Sequence, residues 1–479
     1  MNGLLGKYKG LNVRAKAALW FTICSFLQKG ISFITVPIFT RVLTTEEYGT
    51  YSVYLSWLQI LTVLSSLYLY YGVTDNAMSK FENDRSRFLS SMQGLTVSIT
   101  TCLFLFSMVT IDGLSHMMKL APVMILLMFA EIYVTPSFAF WSARQRFEYK
   151  YRKLVALTLV KSFLNPTLGL IAVTLSNDKA LARVVSTVAV EIMICGSIMI
   201  LQFYRGKVFF DKKYWKYALQ LAIPMLPHYL SGIILNQGDR IMISNMIGKS
   251  EVALYGVAYS IGMLVQIFVT AINNALTPWV YGRLKATDIK SIQEKSRGVM
   301  LFVFLISIGL MLISPELVLI FGSSKYAGST NVIPPVAGSV FFIFMYSFLS
   351  YPEFYYEKTS FLMIASLAAA GLNIGLNYIF ISAFGYVAAA YTTLACYSVY
   401  SLGHYFVGGK ILYKETNEKS VVDVSLAAIL SLFVIIVSTI IHMVFPYTIL
   451  RYSIIGIGAV VAYIKRDFII NLVRPQKRN

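Results

Sequence analysis

The sequence predicts an all-α polytopic membrane protein with about 14 transmembrane helices, arranged as two parallel six-helix lobes plus two C-terminal helices. Three observations carry that prediction. Of 479 residues, 57% are hydrophobic and 13% charged, with a mean hydropathy of +0.67, whereas a soluble domain is about a quarter charged because water must be faced. Apolar runs of about 20 residues, the length that crosses the hydrocarbon of a bilayer, recur along the chain. Lysine and arginine gather in alternate gaps between those runs.

The first run, residues 17–40, follows the basic segment MNGLLGKYKGLNVRAKAALW. No small-residue cleavage site closes a short apolar core, so the run reads as a retained first helix. Runs at 50–73, 89–111, 119–141, 154–176 and 181–203 complete a first set of six. A second set follows at 217–247, 252–280, 298–321, 331–352, 361–382 and 385–408, and two more runs at 421–441 and 446–464 end the series. Helices satisfy their own backbone groups in lipid; a barrel would show short alternating strands instead. Pro37, Pro136, Pro166, Pro224, Pro227, Pro278 and Pro352 fall within or near these runs. Each bends a helix or starts one, according to its position. The expected divisions are 1–205, 210–408, the added pair 421–464 and a basic cytoplasmic tail at 465–479.

Counting cations by gap gives 31 on one side of the membrane and six on the other. The first set includes Lys7, Lys9 and the group Arg144, Arg146, Lys150, Arg152 and Lys153; the second is Arg41, Lys119, Lys179, Arg183, Lys249 and Lys325. The positive-inside rule therefore places both termini in the cytoplasm. It also accounts for the formal charge of +19 without nucleic acid, for which no binding module is present.

An internal echo supports the doubling. TTEEYGTYSVYLSWLQI after the first run resembles KSEVALYGVAYSIGMLVQI after the seventh. Tyr48-Gly49 matches Tyr255-Gly256, and Gln59-Ile60 matches Gln266-Ile267. Parallel repeats of this kind let transporters build a site between halves around a central cavity.

Four cations escape the gaps: Lys29, Lys161, Arg240 and Arg451. Arg451 lies near a membrane edge, where snorkelling accounts for it, and the last two runs read as peripheral. A charge near the bilayer centre costs about 2.5–3.5 kcal/mol on insertion scales, so the others mark a wet cavity. Lys29, Arg240 and Lys161, with Asn236 and Gln237, are the candidate substrate-binding residues. Clustered cations in low-dielectric walls favour an anion, and the arginine fork suits phosphate. Asp239, Glu131 and Glu191 are the candidate ion-coupling residues, for proton or sodium, with Glu191 ranked last because it can serve a structural pairing.

Other chemistries fit poorly. His116, His228, His404 and His442 are widely separated, and Cys24, Cys102, Cys195 and Cys396 show no metal-ligand spacing. No metal or other cofactor is expected, and the chain does not read as an enzyme. A loop longer than about 20 residues, which an extramembrane catalytic domain would need, is missing; so is a repeated selectivity filter.

Several stretches carry a family likeness. They are ITVPIFTRVLTTEEYGTYSVY at 34–54, NQGDRIMISNMIG at 236–248 and AGLNIGLNYIFISAFGYVAAAYTTLACY at 370–397, in which Asn373 and Asn377 share a helix face and Gly385 marks a tight turn. Together they resemble the polysaccharide-transporter family, the O-antigen and capsule flippases of the superfamily that also holds MATE exporters and the peptidoglycan lipid flippase. The resemblance implies translocation of undecaprenyl-diphosphate-linked oligosaccharide across the bacterial inner membrane by alternating access. It implies a cationic cavity, for which Lys29 and Arg240 are the matching positions, coupling to an ion gradient, and assembly partners such as a polysaccharide polymerase. The competing expectation is a MATE-like exporter of small amphiphiles.

Overall fold

The computed structural model describes residues 10–358 and 360–464. Lys7, Lys9 and the expected basic tail at 465–479 lie outside the described residues. The described chain is helical throughout, and it divides into two compact units, Met1–Gln237 and Gly238–Asn479. Ten helices are long and apolar enough to cross a membrane, or eleven if a bent pair is one span.

The first unit opens with α1 (Val13–Val42), whose N-cap Asn12 accepts from the Ala15 N–H, and α2 (Thr45–Ser66), which starts in a capping box of Thr44 and Glu47. These caps satisfy backbone donors that the first turn leaves unpaired. Next come α3 (Val73–Lys80), α4 (Arg85–Val109), α5 (Ile111–Met118) and α6 (Pro122–Phe147). Helix α7 (Tyr151–Leu175) packs on α1 and on α8 (Lys179–Glu191). A π-helical segment, Ile192–Gly196, joins α8 to α9 (Ser197–Gly206). The 35-residue α10 (Lys212–Met246) then carries the chain from the first unit into the second. Its early residues Tyr214, Ala218 and Ala222 sit in the first unit's core with Phe88, Met92 and Phe140.

Gly94 shows why a small residue is needed on α4. A Cβ there would lie 1.9 Å from the Phe209 carbonyl oxygen, so only hydrogen lets the segment after α9 cross the helix. Ser90 on the same face donates to the Val208 carbonyl at 2.6 Å.

The second unit contains α11 (Lys249–Gly262) and α12 (Val265–Lys285), bent by 41° where one span was expected. At the break Leu264, Gln266 and Ile267 donate to carbonyls three residues back, the tighter bonding that marks a helical discontinuity. Then follow α13 (Ile289–Leu312), α14 (Ser314–Gly322), α15 (Ile333–Leu349) and α16 (Tyr351–Tyr355). IPPVAGSVFFIFMYSFL is apolar on every face, and α15 is accordingly buried almost throughout. It packs against α13, α18 (Ala388–Thr416) and α19 (Val424–Ile440). Helix α17 (Ser360–Phe384) reaches α18 through Gly385, whose φ of 75° is a left-handed turn position, as its place in the sequence suggested. Helix α20 (Thr448–Ile464) ends the described chain.

The remaining expected spans coincide with α2, α18 and α20. Hydroxyl and tyrosine side chains in α2 and α18 keep them short of the apolarity that identifies a span by composition. Outward-facing Val109, Leu175 and Ile449 are among the most exposed large side chains, as expected where lipid replaces water.

Two cations depart from expectation. Arg183, assigned to a loop, is buried in α8. Arg451, expected to snorkel, is 3% exposed and donates through both Nη atoms to Glu316 at 2.9 and 2.8 Å, and to the Leu312 carbonyl at 2.9 Å. A bidentate fork fixes α20 to α14 and the end of α13, so the last helix is tied into its unit.

Candidate functional site

Each unit holds its own buried polar network. In the first, Glu131 on α6 is 5% exposed and accepts from the Tyr54 hydroxyl of α2 at 2.8 Å. Lys161 on α7 pairs with Glu191 at 2.7 Å, at the last residue before the π segment. The Cys195 thiol, one π-helical turn on, donates to the same carboxylate at 3.0 Å. Glu191, Lys161 and Arg183 all act electrostatically on Glu131. Arg183 donates to Asn165 Oδ1 at 2.8 Å and to Thr187 Oγ1 at 3.0 Å. Its guanidinium lies 4.5 Å from the Phe39 ring centroid and 4.9 Å from that of Tyr51. Aromatic faces and amide oxygens thus replace the water that burial removes.

The sequence therefore set Lys161 apart from its partner. It was grouped with the substrate cations, whereas the structure pairs it with Glu191. Its charge is compensated within the protein. Arg183 was missed because a short polar stretch, SNDKALAR, reads as a loop; the signal was the Thr187 and Glu191 that follow at four-residue spacing.

The second unit centres on Asp239, which is fully buried. Its carboxylate accepts from Asn377 Nδ2 at 2.7 Å, Thr393 Oγ1 at 2.9 Å and the Tyr255 hydroxyl. Asn377 also donates to Asn373 Oδ1 at 3.1 Å, and Thr392 donates to Asn377 Oδ1. Asn373 and Asn377 are four residues apart on α17, so both reach the same neighbour. Four helices converge here: α10, α11, α17 and α18. The result is an oxygen-rich centre with one carboxylate, two amide oxygens and threonine hydroxyls. Oxygen donors of this kind suit a hard cation or a proton. Among the described residues, no cluster of three or more His, Cys, Asp or Glu could hold a metal ion.

Arg240, one residue on, is half-buried and stacks on Tyr259 at 4.9 Å from the ring centroid. Successive helical residues point about 100° apart, which separates its direction from that of Asp239. In the first unit, Gln237 accepts from Ser56 at 3.1 Å and donates to Gln59 at 3.2 Å. Asn236 donates to its own helix at the Gly232 carbonyl, 2.7 Å away. Lys29 is exposed on α1. The structure therefore pairs Lys161 with Glu191, bonds Glu131 to Tyr54 and gives Asp239 a network of its own.

A third buried pair was overlooked. His404 Nδ1 lies 2.8 Å from Glu353 Oε1, and both side chains are fully buried. Scanning for paired histidines could not find it, since the partner is a carboxylate 51 residues away.

Long apolar helices with a buried polar network within each unit define a polytopic membrane protein. The chain belongs to the polysaccharide biosynthesis protein family, whose model matches residues 15–281; a MatE model matches 224–379. A solved structure of the lipid II flippase MurJ, in an inward closed conformation, aligns with a TM-score of 0.72 at 16% identity, covering 94% of this chain and all of that one. An inward-facing multidrug resistance MATE family transporter of the MOP superfamily aligns at 0.61 and 14% identity, covering 85% and 98%. An uncharacterized membrane protein of Haemophilus influenzae is 28% identical over 162 residues, 33% of this chain and 40% of its own length. The chain thus matches less than half of that relative.

Proposed function

We propose that the protein is a flippase that moves undecaprenyl-diphosphate-linked oligosaccharide from the cytoplasmic to the outer leaflet by alternating access, for cell-surface polysaccharide synthesis. The observation that carries this reading is the family match over residues 15–281. The likeness to a lipid II flippase over nearly the whole chain supports it. In this reading the chain has fourteen spans in two six-helix lobes with an added C-terminal pair. Lys29 and Arg240, with Asn236 and Gln237 beside the latter, contact the anionic head group. Lys161 holds the Glu191 carboxylate in place rather than meeting substrate. Asp239 is the leading ion-coupling residue, and Glu131 is the second.

The second reading is an ion-coupled exporter of small amphiphiles, which the MatE match across the Asp239, Asn373 and Asn377 positions favours. Proteoliposomes containing this protein alone separate the two. Protein-dependent transfer of a lipid-diphosphate oligosaccharide, without transfer of small cationic drugs, is expected. Drug export with no transfer across several chemically distinct glycans reverses the assignment.

A further inference from the structure

A polar cavity lies in the first unit, apart from the networks above. Its volume is about 540 Å³, within the range of small-ligand pockets. The ends of α4, α6, α7 and α9 enclose it, at the loops where the sequence concentrates its cations. Arg144, Lys150, Arg152, Lys153 and Arg205 line it, against a single carboxylate, Glu148.

That carboxylate is already engaged. Arg144 Nε donates to Glu148 at 2.7 Å, while Arg144 Nη1 donates to Ser86 at 2.9 Å, and Lys150 pairs with the other Glu148 oxygen. Burial pushes the Glu148 carboxyl up, but the hydrogen bonds from Lys150 and Arg144 outweigh it and hold the group below its ordinary value. One ionised carboxylate against five cations leaves a strongly positive cavity.

One further feature narrows the ligand. Trp141 lines the same cavity, the amphipathic ring favoured at the level of lipid head groups.

We propose that this cavity binds the head group of an anionic lipid, taking its phosphate on the basic residues. Basic pockets between membrane helices are built for such head groups. The site does not depend on the transport reading.

Native mass spectrometry of the detergent-solubilised full-length protein tests it, with phosphatidylglycerol, phosphatidic acid, phosphatidylcholine and inorganic phosphate as probes. Phosphatidylglycerol should be retained about tenfold better than phosphatidylcholine. Lys153→Gln with Arg205→Gln, both at exposed positions, should remove most of that preference. Lys285→Gln with Lys290→Gln, equal in charge but outside the cavity, should leave it intact. Phosphatidic acid, which presents the same phosphate, should also be retained in preference to phosphatidylcholine. Equal retention of phosphatidylglycerol and phosphatidylcholine overturns the proposal, as does equal loss in both double variants. Displacement of the lipid by inorganic phosphate at equal concentration overturns the lipid assignment.

Discussion

At the scale of single residues, the embedded charges were legible but their partners were not. Glu191 meets Lys161 and Asp239 meets Asn377, 138 positions away; apolar periodicity reports that a residue is in the membrane, not which neighbour it faces. The pair Lys161–Glu191 gives a direct prediction. Glu191→Gln strands the ammonium, and breaking a buried pair costs about 3–5 kcal/mol. Replacing both, as Lys161→Met with Glu191→Leu, should recover much of that loss in a thermal melt of the purified protein. Asp239→Asn bears on coupling: the gradient dependence of lipid-glycan transfer should vanish while binding of the glycan survives. Unchanged gradient dependence in a well-folded variant removes Asp239 from that role. Glu148 contributes a pH-dependent term. Because its folded-state value is lowered, its stabilisation is present above the ordinary carboxylate range and lost as pH falls through the lowered value. Glu148→Gln should therefore melt lower at neutral pH, by no more than about 1 kcal/mol for so accessible a pair, and the gap should close in acid.

At the scale of elements, ten of the expected spans, or eleven with the bent pair, are helices long and apolar enough to cross a membrane, since hydrocarbon thickness and the need for internal backbone bonds leave little choice. What the runs could not supply was local phase. The break between α11 and α12 and the π segment at Ile192–Gly196 contain no proline, and both are set by packing. Likewise Arg183 occupies a stretch polar enough to resemble a loop, yet aromatic rings from α1 and α2 accept its charge. Gly94 yields the prediction at this scale. Gly94→Ala must push the Phe209 backbone off α4, an overpacking cost of about 1–3 kcal/mol. Faster tryptic cleavage at Lys207, together with a lower melting temperature, is the expected result. Unchanged cleavage would mean the crossing segment moves freely.

At the scale of the whole molecule, the charge distribution yields an orientation that labelling can check. In a cysteine-free background, Met117→Cys should react with an impermeant thiol reagent in intact cells, and Arg146→Cys should not. The reverse pattern would invert the topology and move the basic cavity to the outer face. The proposed doubling rests on Tyr48-Gly49 and Tyr255-Gly256, a short motif that recurs at the start of the second and eighth expected spans.

The course of α10 has a practical outcome for anyone recombining this chain with a relative. The helix is continuous through the point where one compact unit gives way to the next, and its opening turns furnish core side chains to the first. A chimera spliced in the loop before Lys212 would deprive the donor half of Tyr214, Ala218 and Ala222 and supply strangers in their place. A junction at Gln237 and Gly238, mid-helix and in register, transplants each core whole. Hybrids cut at the tidy loop should express poorly, and those cut through the helix should accumulate.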